Sequence, residues 1–347
     1  MAFLFRMLMA ATITILAVLP GKFAHADDAD AASGGVYFLL EVALEDARAA
    51  CLDRLWSEIR DALAPDREIV GFIKRLESPA TELHIRITEE AGISHAMSVV
   101  RDLASTGPSD TVPSFINVKA ENQTLIIRLS PTGQGVTDEI TMEQTLTTLD
   151  RRLRELGIFA PTVMRQDDDR IVVIAFGEGG HEALLQAHWT QAQLSFHTVI
   201  AITAELETVA GTGQTLLPAQ NDPELFYLVE RRPVVRGEDL ADVRLTFDRN
   251  DRPAIAFQFA PPAASRFADY TQANIGTAFA IVLDGVVLSA PVIRTQISGG
   301  QGIIVGNFTE EEVVDLVAML QAGFLPARLA VIEERVIGPV IDRLDEQ

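Results

Sequence analysis

Residues 141–157, TMEQTLTTLDRRLRELG, are followed closely by PTVMRQDDDRIVVIAF at residues 161–176, and these two stretches decide the fold. In the first stretch the apolar residues recur at spacings of four and three, which places them on one helix face. They are Met142, Leu146, Leu149, Leu153 and Leu156. Thr141 with Gln144 predicts a capping box at the start of this helix, and Gly157 predicts a left-handed stop at its end.

The second stretch predicts an antiparallel hairpin around a turn of three aspartates. The same order of one helix and two strands recurs upstream, with helices predicted near residues 45–63 and 93–105. The corresponding strands alternate apolar and polar residues. They are predicted at residues 69–76, 82–88, 115–119 and 124–129. With an opening strand at residues 36–42, the pattern predicts an α+β fold, namely a ferredoxin-like base of helix–strand–strand units on an antiparallel sheet.

A glycine-rich segment at residues 177–180 ends this repetition and marks a domain boundary. Beyond it strands dominate, and we predict an inserted, β-rich head lobe at residues 181–272. The hairpin signal Asp284-Gly285 and a second capping box, Thr309 with Glu312, come after the lobe. Residues 34–180 and 273–339 are therefore predicted to form the two parts of one base domain.

The N-terminus has the features of a secretory signal. Arg6 precedes an apolar run at residues 7–19, and Ala24-His-Ala26 supplies the small residues of a cleavage site. The run covers only ~20 Å as a helix, less than the ~30 Å hydrocarbon core of a bilayer. We therefore predict a signal peptide at residues 1–26, cleaved between Ala26 and Asp27, with an uncleaved anchor as the alternative. In either case the rest of the chain is expected in the periplasm.

The charge of the chain excludes some partners. Acidic residues outnumber basic ones by 49 to 28, and the formal net charge is −21. Nucleic acid is therefore excluded as a partner, and anionic membrane surfaces are disfavoured. Membrane contact is expected only through the N-terminus or through partners. A cationic or unfolded polypeptide is compatible with this charge, although solubility explains the charge equally well.

No motif predicts catalysis, metal binding or a cofactor. His181, His188 and His197 are not spaced to place two imidazoles on one helix face. Neither a G-x-S-x-G elbow nor a P-loop is present in the sequence. The single cysteine, Cys51, cannot form an intramolecular disulfide and is expected to be a buried thiol, with a reactive thiol as the alternative. We expect a protein without enzymatic activity.

Three phenylalanines of the head form the candidate polypeptide-binding site. Phe247, Phe257 and Phe259 alternate with polar or small residues in two predicted strands, so the apolar side chains of each strand share one face. This face is either the core of the lobe itself or an apolar groove beside an open strand edge, to which an extended chain adds.

Four blocks, in the correct order, resemble the first periplasmic domain of SecD, the accessory subunit of the bacterial Sec preprotein translocase. The first is Gly34-Gly-Val-Tyr-Phe-Leu-Leu-Glu-Val42, and the second lies at residues 142–173. The third contains Gly237-Glu-Asp-Leu240. The last begins near Ala280-Ile-Val-Leu-Asp-Gly285 and ends at Glu333-Glu-Arg-Val-Ile-Gly-Pro339.

The resemblance implies a non-catalytic periplasmic protein that assists Sec-dependent translocation, with unfolded preprotein, SecY and SecDF as partners. Two departures limit what it implies. The family's acidic and basic entry to the first strand is replaced by Ala31-Ala-Ser-Gly-Gly35, and the membrane aspartate that the family links to proton conduction has no counterpart in this sequence. A SecD head without its proton-conducting domain is therefore expected. The alternative is a stand-alone periplasmic binding or scaffold module unrelated to Sec.

Overall fold

The computed structural model describes residues 35–104, 114–158, 160–176, 189–205, 210–211 and 213–337. The helices are α1 Leu44–Leu63, α2 Arg67–Val70, α3 Ile93–Ala104, α4 Pro131–Glu155, α5 Pro261–Ala273 and α6 Glu310–Ala322. The first seven strands are β1 Gly35–Val42, β2 Ile73–Arg75, β3 Leu83–Ile87, β4 Ile116–Glu121, β5 Thr124–Leu129, β6 Thr162–Arg165 and β7 Arg170–Phe176. The remaining strands are β8 Leu194–Thr203, β9 Gln214–Pro218, β10 Phe226–Glu230, β11 Val235–Arg236, β12 Leu240–Phe247, β13 Pro253–Phe259, β14 Phe279–Leu283, β15 Val286–Ser289, β16 Gln301–Val305 and β17 Leu329–Ile337.

The first sheet has the strand order β17-β1-β7-β6, with every pair antiparallel. Its inner face packs against the apolar face of α4 and the first turn of α1. This core contains Phe38, Leu40, Leu44, Met142, Leu149, Leu153, Ile171 and Val173. The predicted period of the α4 helix therefore corresponds to its buried face.

A second four-stranded sheet, β2-β3-β5-β4, has its own core against α3 and the remainder of α1. Successive apolar residues of α1 thus serve two cores, Leu44 and Ala47 in the first and the stretch from Cys51 onward in the second. Cys51 is buried, as predicted. The mixed α and β class with antiparallel sheets is confirmed, whereas the ferredoxin-like base stays a prediction.

The head contains two sheets around a phenylalanine-rich core. One follows the path β15-β14-β8-β10-β9, with β11 also paired to β8, and the other is β12-β13-β16. Helices α5 and α6 contribute Phe267 and Val313 to the core between them. Asp284 and Gly285 connect β14 to β15 with φ angles of 48° and 82°, as the predicted hairpin turn requires.

The strand pairing differs from the predicted return to the base at residue 273. β14 pairs with β8, and β16 pairs with β13, so both belong to the sheets of the head. Only β17 joins the first sheet, where it pairs with β1 along its length. The local pattern could not reveal this, because an apolar hairpin carries no mark of the sheet that receives it.

The predicted starts of two elements were wrong. Helix α4 begins ten residues earlier than the predicted Thr141 start, at Pro131, where the Ser130 hydroxyl accepts a hydrogen bond from the Gly133 amide at 3.0 Å. The Thr141 hydroxyl instead donates to the carbonyl of Thr137 within the helix, at 2.7 Å. The strand predicted at residues 69–76 is partly helix α2, and β2 begins at Ile73.

Two other terminal signals are confirmed. Thr309 and Glu312 form the reciprocal hydrogen bonds of a capping box at the start of α6, at 2.8 and 3.2 Å. Gly157 follows α4 with a φ of 80°, the left-handed conformation that glycine favours. Within the residues described, no helix combines the length and apolar character that a membrane span needs.

Candidate functional site

Two of the three predicted binding residues lie inside the head. Phe257 is 5% exposed and Phe259 is 1% exposed, and both rings pack against Phe196 with centroids 5.3 and 5.2 Å apart. Their expected contact with an extended chain is therefore corrected: they are core residues. For Phe257 and Phe259, the apolar face of the two strands is therefore the core of the lobe and not a binding groove.

Phe247 is different, because its ring is 47% exposed. It is paired with Pro253 at the end of the β12–β13 hairpin and is not part of the phenylalanine-rich core. The adjoining turn is held by Asp248, which accepts hydrogen bonds from the Asn250 and Arg252 amides at 2.7 and 3.0 Å. Arg252 lowers the pKa of Asp248 through a side-chain hydrogen bond. The Asp248 carboxylate is thus hydrogen-bonded and neutralised within the turn, and a bound cation is not required to balance its charge.

The five-stranded path of the head curls until its two edge strands meet. Ala219, which follows β9, bridges to Val287 of β15, and the Gln220 amide donates to the Val287 carbonyl at 2.9 Å. The inner face of this curled sheet is apolar. It holds the buried Val229, Ala280, Val282 and Val287, with the half-buried Val199, Leu217 and Tyr227 packed against them.

At one end of the curled sheet this inner apolar face continues into solvent. Ile202 is paired with Tyr227, and Tyr227 is paired with Leu217, so all three side chains share the face of the interior cluster. On the opposite side Val292 bridges to Ala278, whose carbonyl accepts from the Val199 amide at 3.3 Å. Ile202 and Val292 are each 55% exposed. We call this set the open-end face: Val199, Ile202, Leu217, Tyr227, Ala278 and Val292.

Beside this face lies an edge of β8 that no strand of the described residues covers. β14 pairs with β8 only as far as Thr198, whereas β10 pairs with its other side up to Thr203. Among the residues described, no strand pairs with Ile200–Ile202 on the β14 side. Ile200, at a register shift, is 43% exposed. Free backbone groups next to an exposed apolar face are what an added extended strand requires.

Sequence reasoning missed the open-end face for a specific reason. The alternation of Ile200, Ala201 and Ile202 predicted the strand, but it could not show that β14 ends before reaching them. The feature that could have revealed the open-end face is the difference in strand length, because β8 has ten residues and its partner β14 has five. A strand longer than its neighbour leaves part of its edge unpaired.

The head also buries a polar pair. The His197 ring lies 2.9 Å from the Ser195 hydroxyl through Nε2 and 2.8 Å from the Glu230 carbonyl through Nδ1. Since the carbonyl can only accept, Nδ1 donates and Nε2 accepts from Ser195. Burial lowers the pKa of His197, which keeps the ring neutral. His197 is 7% exposed, so the pair satisfies polar groups inside the lobe.

Arg152 forms hydrogen bonds with both segments that connect the head to the first sheet, one at Thr190 and Gln191 and the other at Gly323. The arginine is 3% exposed and donates to the carbonyls of Thr190 and Gln191, at 2.6 and 2.9 Å, and to that of Gly323 at 3.0 and 3.3 Å. The same two segments bond directly, because the Leu325 amide donates to the Gln191 carbonyl at 2.8 Å. Burial lowers the pKa of Arg152 to about 10, so the group remains charged at neutral pH.

The other candidate residues do not form a site in the part described. No group of three or more His, Cys, Asp or Glu side chains suited to a metal ion occurs among the described residues. His181, His188 and the predicted cleavage positions Ala26 and Asp27 lie outside those residues.

Two family models match the chain and define its class. Residues 214–327 match the P1 head subdomain of SecDF, and residues 142–201 match the N-terminal part of the P1 domain of the protein translocase subunit SecDF. The first model begins at β9 and ends after α6, so it includes β14 and β15, in agreement with the strand pairing. Both matches are to the P1 domain, so the chain is a P1-type protein.

Its relatives specify the family. The chain is 42% identical to the protein translocase subunit SecD of Rhodobacter capsulatus over 88% of its own length and 56% of that protein. It is 31% identical to SecD of Aquifex aeolicus over 89% of its length and 59% of that protein. The chain belongs to the SecD family and spans a little over half the length of these relatives. The crystal structure of SecDF in a super-membrane-facing form is 33% identical over 58% of the chain and 28% of that protein, with a TM-score of 0.49.

Proposed function

We propose that this protein is a periplasmic, non-catalytic component of Sec-dependent protein translocation that holds emerging preprotein at the open end of its head. The membership in a family of translocase subunits supports the pathway. The open-end face supports the contact, and it replaces Phe257 and Phe259 as the binding surface. Sec machinery, including SecY and SecDF, is the proposed partner. The proposal assigns no catalytic step to the chain.

The observation that carries the proposal is the unpaired edge of β8 beside exposed apolar side chains. An extended preprotein segment would add as a strand along Ile200–Ile202, forming backbone hydrogen bonds that do not depend on its sequence. Its alternate side chains would then contact the open-end face. This mode suits a client that is unfolded and variable in sequence, because the backbone supplies the affinity and the apolar face supplies only a broad preference.

Photo-crosslinking in living cells tests the contact. A photoreactive residue is introduced at Ile202 or at Val292, and at Ile140 on α4 as the control, since Ile140 is similarly exposed at 49%. We expect adducts with secretory preproteins from the first two positions and none from the control. Adducts of equal yield from all three positions, or none from the head positions in folded protein, would refute the binding face.

A second measurement tests the pathway independently of the face. Export kinetics of secretory proteins are compared between cells with and without this protein, and a variant carrying Ile202→Asp is included. We expect slower export on deletion and in the variant. If deletion leaves export unchanged while polypeptide adducts persist, the protein is instead a stand-alone binding module.

A further inference from the structure

The second sheet, β2-β3-β5-β4, has a solvent face that the proposed translocation function does not use. Directly paired residues share a face, so the register identifies its members. Lys74 is paired with Arg86, and Lys119 is paired with Ile126, which is paired with His84. Phe72 continues the register of β2, because its carbonyl accepts from the Thr88 amide at 3.2 Å.

The charge of this face contrasts with that of the whole protein. The chain contains only three lysines, and two of them, Lys74 and Lys119, lie here together with Arg86 and Arg128. The carboxylates on the same face are Glu82 and Glu121. Glu82 is already neutralised, since it accepts from Arg128 at 2.9 Å and lies 2.5 Å from the His84 ring. Lys74, Arg86 and Lys119 have no ion pair with any other residue that the structure describes.

This arrangement costs stability when the face is unoccupied. Lys74 and Arg86 are directly opposite each other, and like charges in that position destabilise a sheet. The ring of Phe72 is 75% exposed, which makes it the most exposed large apolar side chain among the residues described. An exposed aromatic ring on the same face as these cations is complementary to a surface that offers both negative charge and an apolar layer.

We propose that this sheet face docks on a bilayer surface that contains anionic phospholipid. The three cations would contact lipid phosphates, and Phe72 would enter the interface between headgroups and acyl chains, as aromatic side chains do. The cations suit this occupant because none of the residues that the structure describes forms an ion pair with them. Lysine is a flexible, strongly hydrated point charge, which suits a fluid array of phosphates better than a fixed set of protein carboxylates.

The net charge of −21 predicts that the protein avoids anionic membranes. The charge of the docking face nevertheless determines the interaction, because salt screens charges that lie farther away. At physiological salt, charges farther apart than about 8 Å are largely screened. Lys74 and Lys119, the most distant pair, lie about 16 Å apart, because three strand spacings of ~4.8 Å separate them across the sheet and two residues separate them along it. A membrane in contact with the face therefore interacts mainly with the charges of this face, which are the three cations and the carboxylate of Glu121. The acidic residues on the rest of the protein are screened.

Vesicle binding by the full chain tests the proposal. Partition onto phosphatidylcholine vesicles is compared with partition onto vesicles that contain phosphatidylglycerol. The face variant carries Lys74→Gln, Arg86→Gln and Lys119→Gln. The control variant carries Arg101→Gln, Arg249→Gln and Arg294→Gln, which change the net charge equally at exposed positions elsewhere. The apolar segment at residues 7–19 is common to every variant, so its contribution cancels.

We expect the unmodified chain to prefer the anionic vesicles. Each cation near the surface contributes roughly five-fold, so the face variant should lose roughly 100-fold in partition and the control variant about two-fold or less. A thermal melt of each variant establishes that it is folded. Equal losses in the two variants, or no preference for anionic lipid in the unmodified chain, would overturn the proposal.

The position of Phe72 provides a separate readout. Tryptophan fluorescence of a Phe72→Trp variant, measured against the unmodified chain, should be quenched by lipids brominated near the headgroup in anionic vesicles. Absence of quenching would also overturn the proposal. Binding of the face to a soluble polyglutamate, without binding to anionic vesicles, would show an acidic protein partner in place of the membrane.

Discussion

Replacement of Arg152 by methionine should weaken the junction between the head and the first sheet. The substitution keeps the apolar length of the side chain but removes the donor of four hydrogen bonds to three carbonyl oxygens. The Gln191 carbonyl keeps the Leu325 amide as a donor, so only the carbonyls of Thr190 and Gly323 lose theirs. A carbonyl left without a donor costs roughly 1–3 kcal/mol, so the two cost roughly 4 kcal/mol in all. Burial lowers the pKa of Arg152 to about 10, which indicates that burying the charge itself costs about 3 kcal/mol, and methionine recovers this cost.

The expected net loss is therefore about 1 kcal/mol in the free energy of unfolding, or roughly 2–4 °C in melting temperature. The measurement is a thermal melt and a urea titration of Arg152→Met beside Arg151→Met. Arg151 is the matched control, because it is adjacent in α4 but exposed. Since Arg152 stays protonated well above neutral pH, the difference between the variants should be the same at pH 6 and pH 8.

Two results would contradict this reasoning. A melting temperature of Arg152→Met equal to that of Arg151→Met would show that water satisfies the carbonyls of Thr190 and Gly323. A difference that changes markedly between pH 6 and pH 8 would show that the loss arises from a group that titrates in that range. An Arg152→Lys variant separates charge from geometry, because a single ammonium cannot reach the three carbonyls that the guanidinium spans.

Three further outcomes are expected. Phe259→Ala should lower the free energy of unfolding by about 3–5 kcal/mol because it opens a cavity in the core, whereas Phe247→Ala, at a half-exposed ring, should cost under about 1 kcal/mol in the same urea titration. Because burial lowers the pKa of His197, the unfolded chain binds more protons below pH ~6.5, and stability should fall on acidification from pH 7 to pH 5 by up to ~1.4 kcal/mol per unit. His197→Gln should remove that part of the slope, and an unchanged slope would assign it elsewhere. Thr309→Ala should cost about 1 kcal/mol by removing the cap of α6, as measured by thermal melting, and no change would mean that water replaces the cap.

The sequence alone determined most of the helices and strands and where several of them end, although the strand predicted at residues 69–76 is partly helix α2. The period of Met142, Leu149 and Leu153 placed one face of α4 in the core, and the pairs Thr309 with Glu312 and Asp284 with Gly285 identified a helix start and a hairpin. These features follow from residues within a few positions of one another. Their physical causes, a buried stripe, a side-chain cap and a left-handed turn, are therefore fully contained in the local sequence.

Only the tertiary structure decided which sheet each strand joins and which apolar side chains remain exposed. Phe257 and Phe247 have similar local patterns, yet Phe257 is buried against Phe196 and Phe247 is half-exposed. In the same way, the open edge of β8 exists because β14 is shorter. Burial and edge pairing depend on the position of residues that are distant in sequence, and alternation along one strand carries no information about that position.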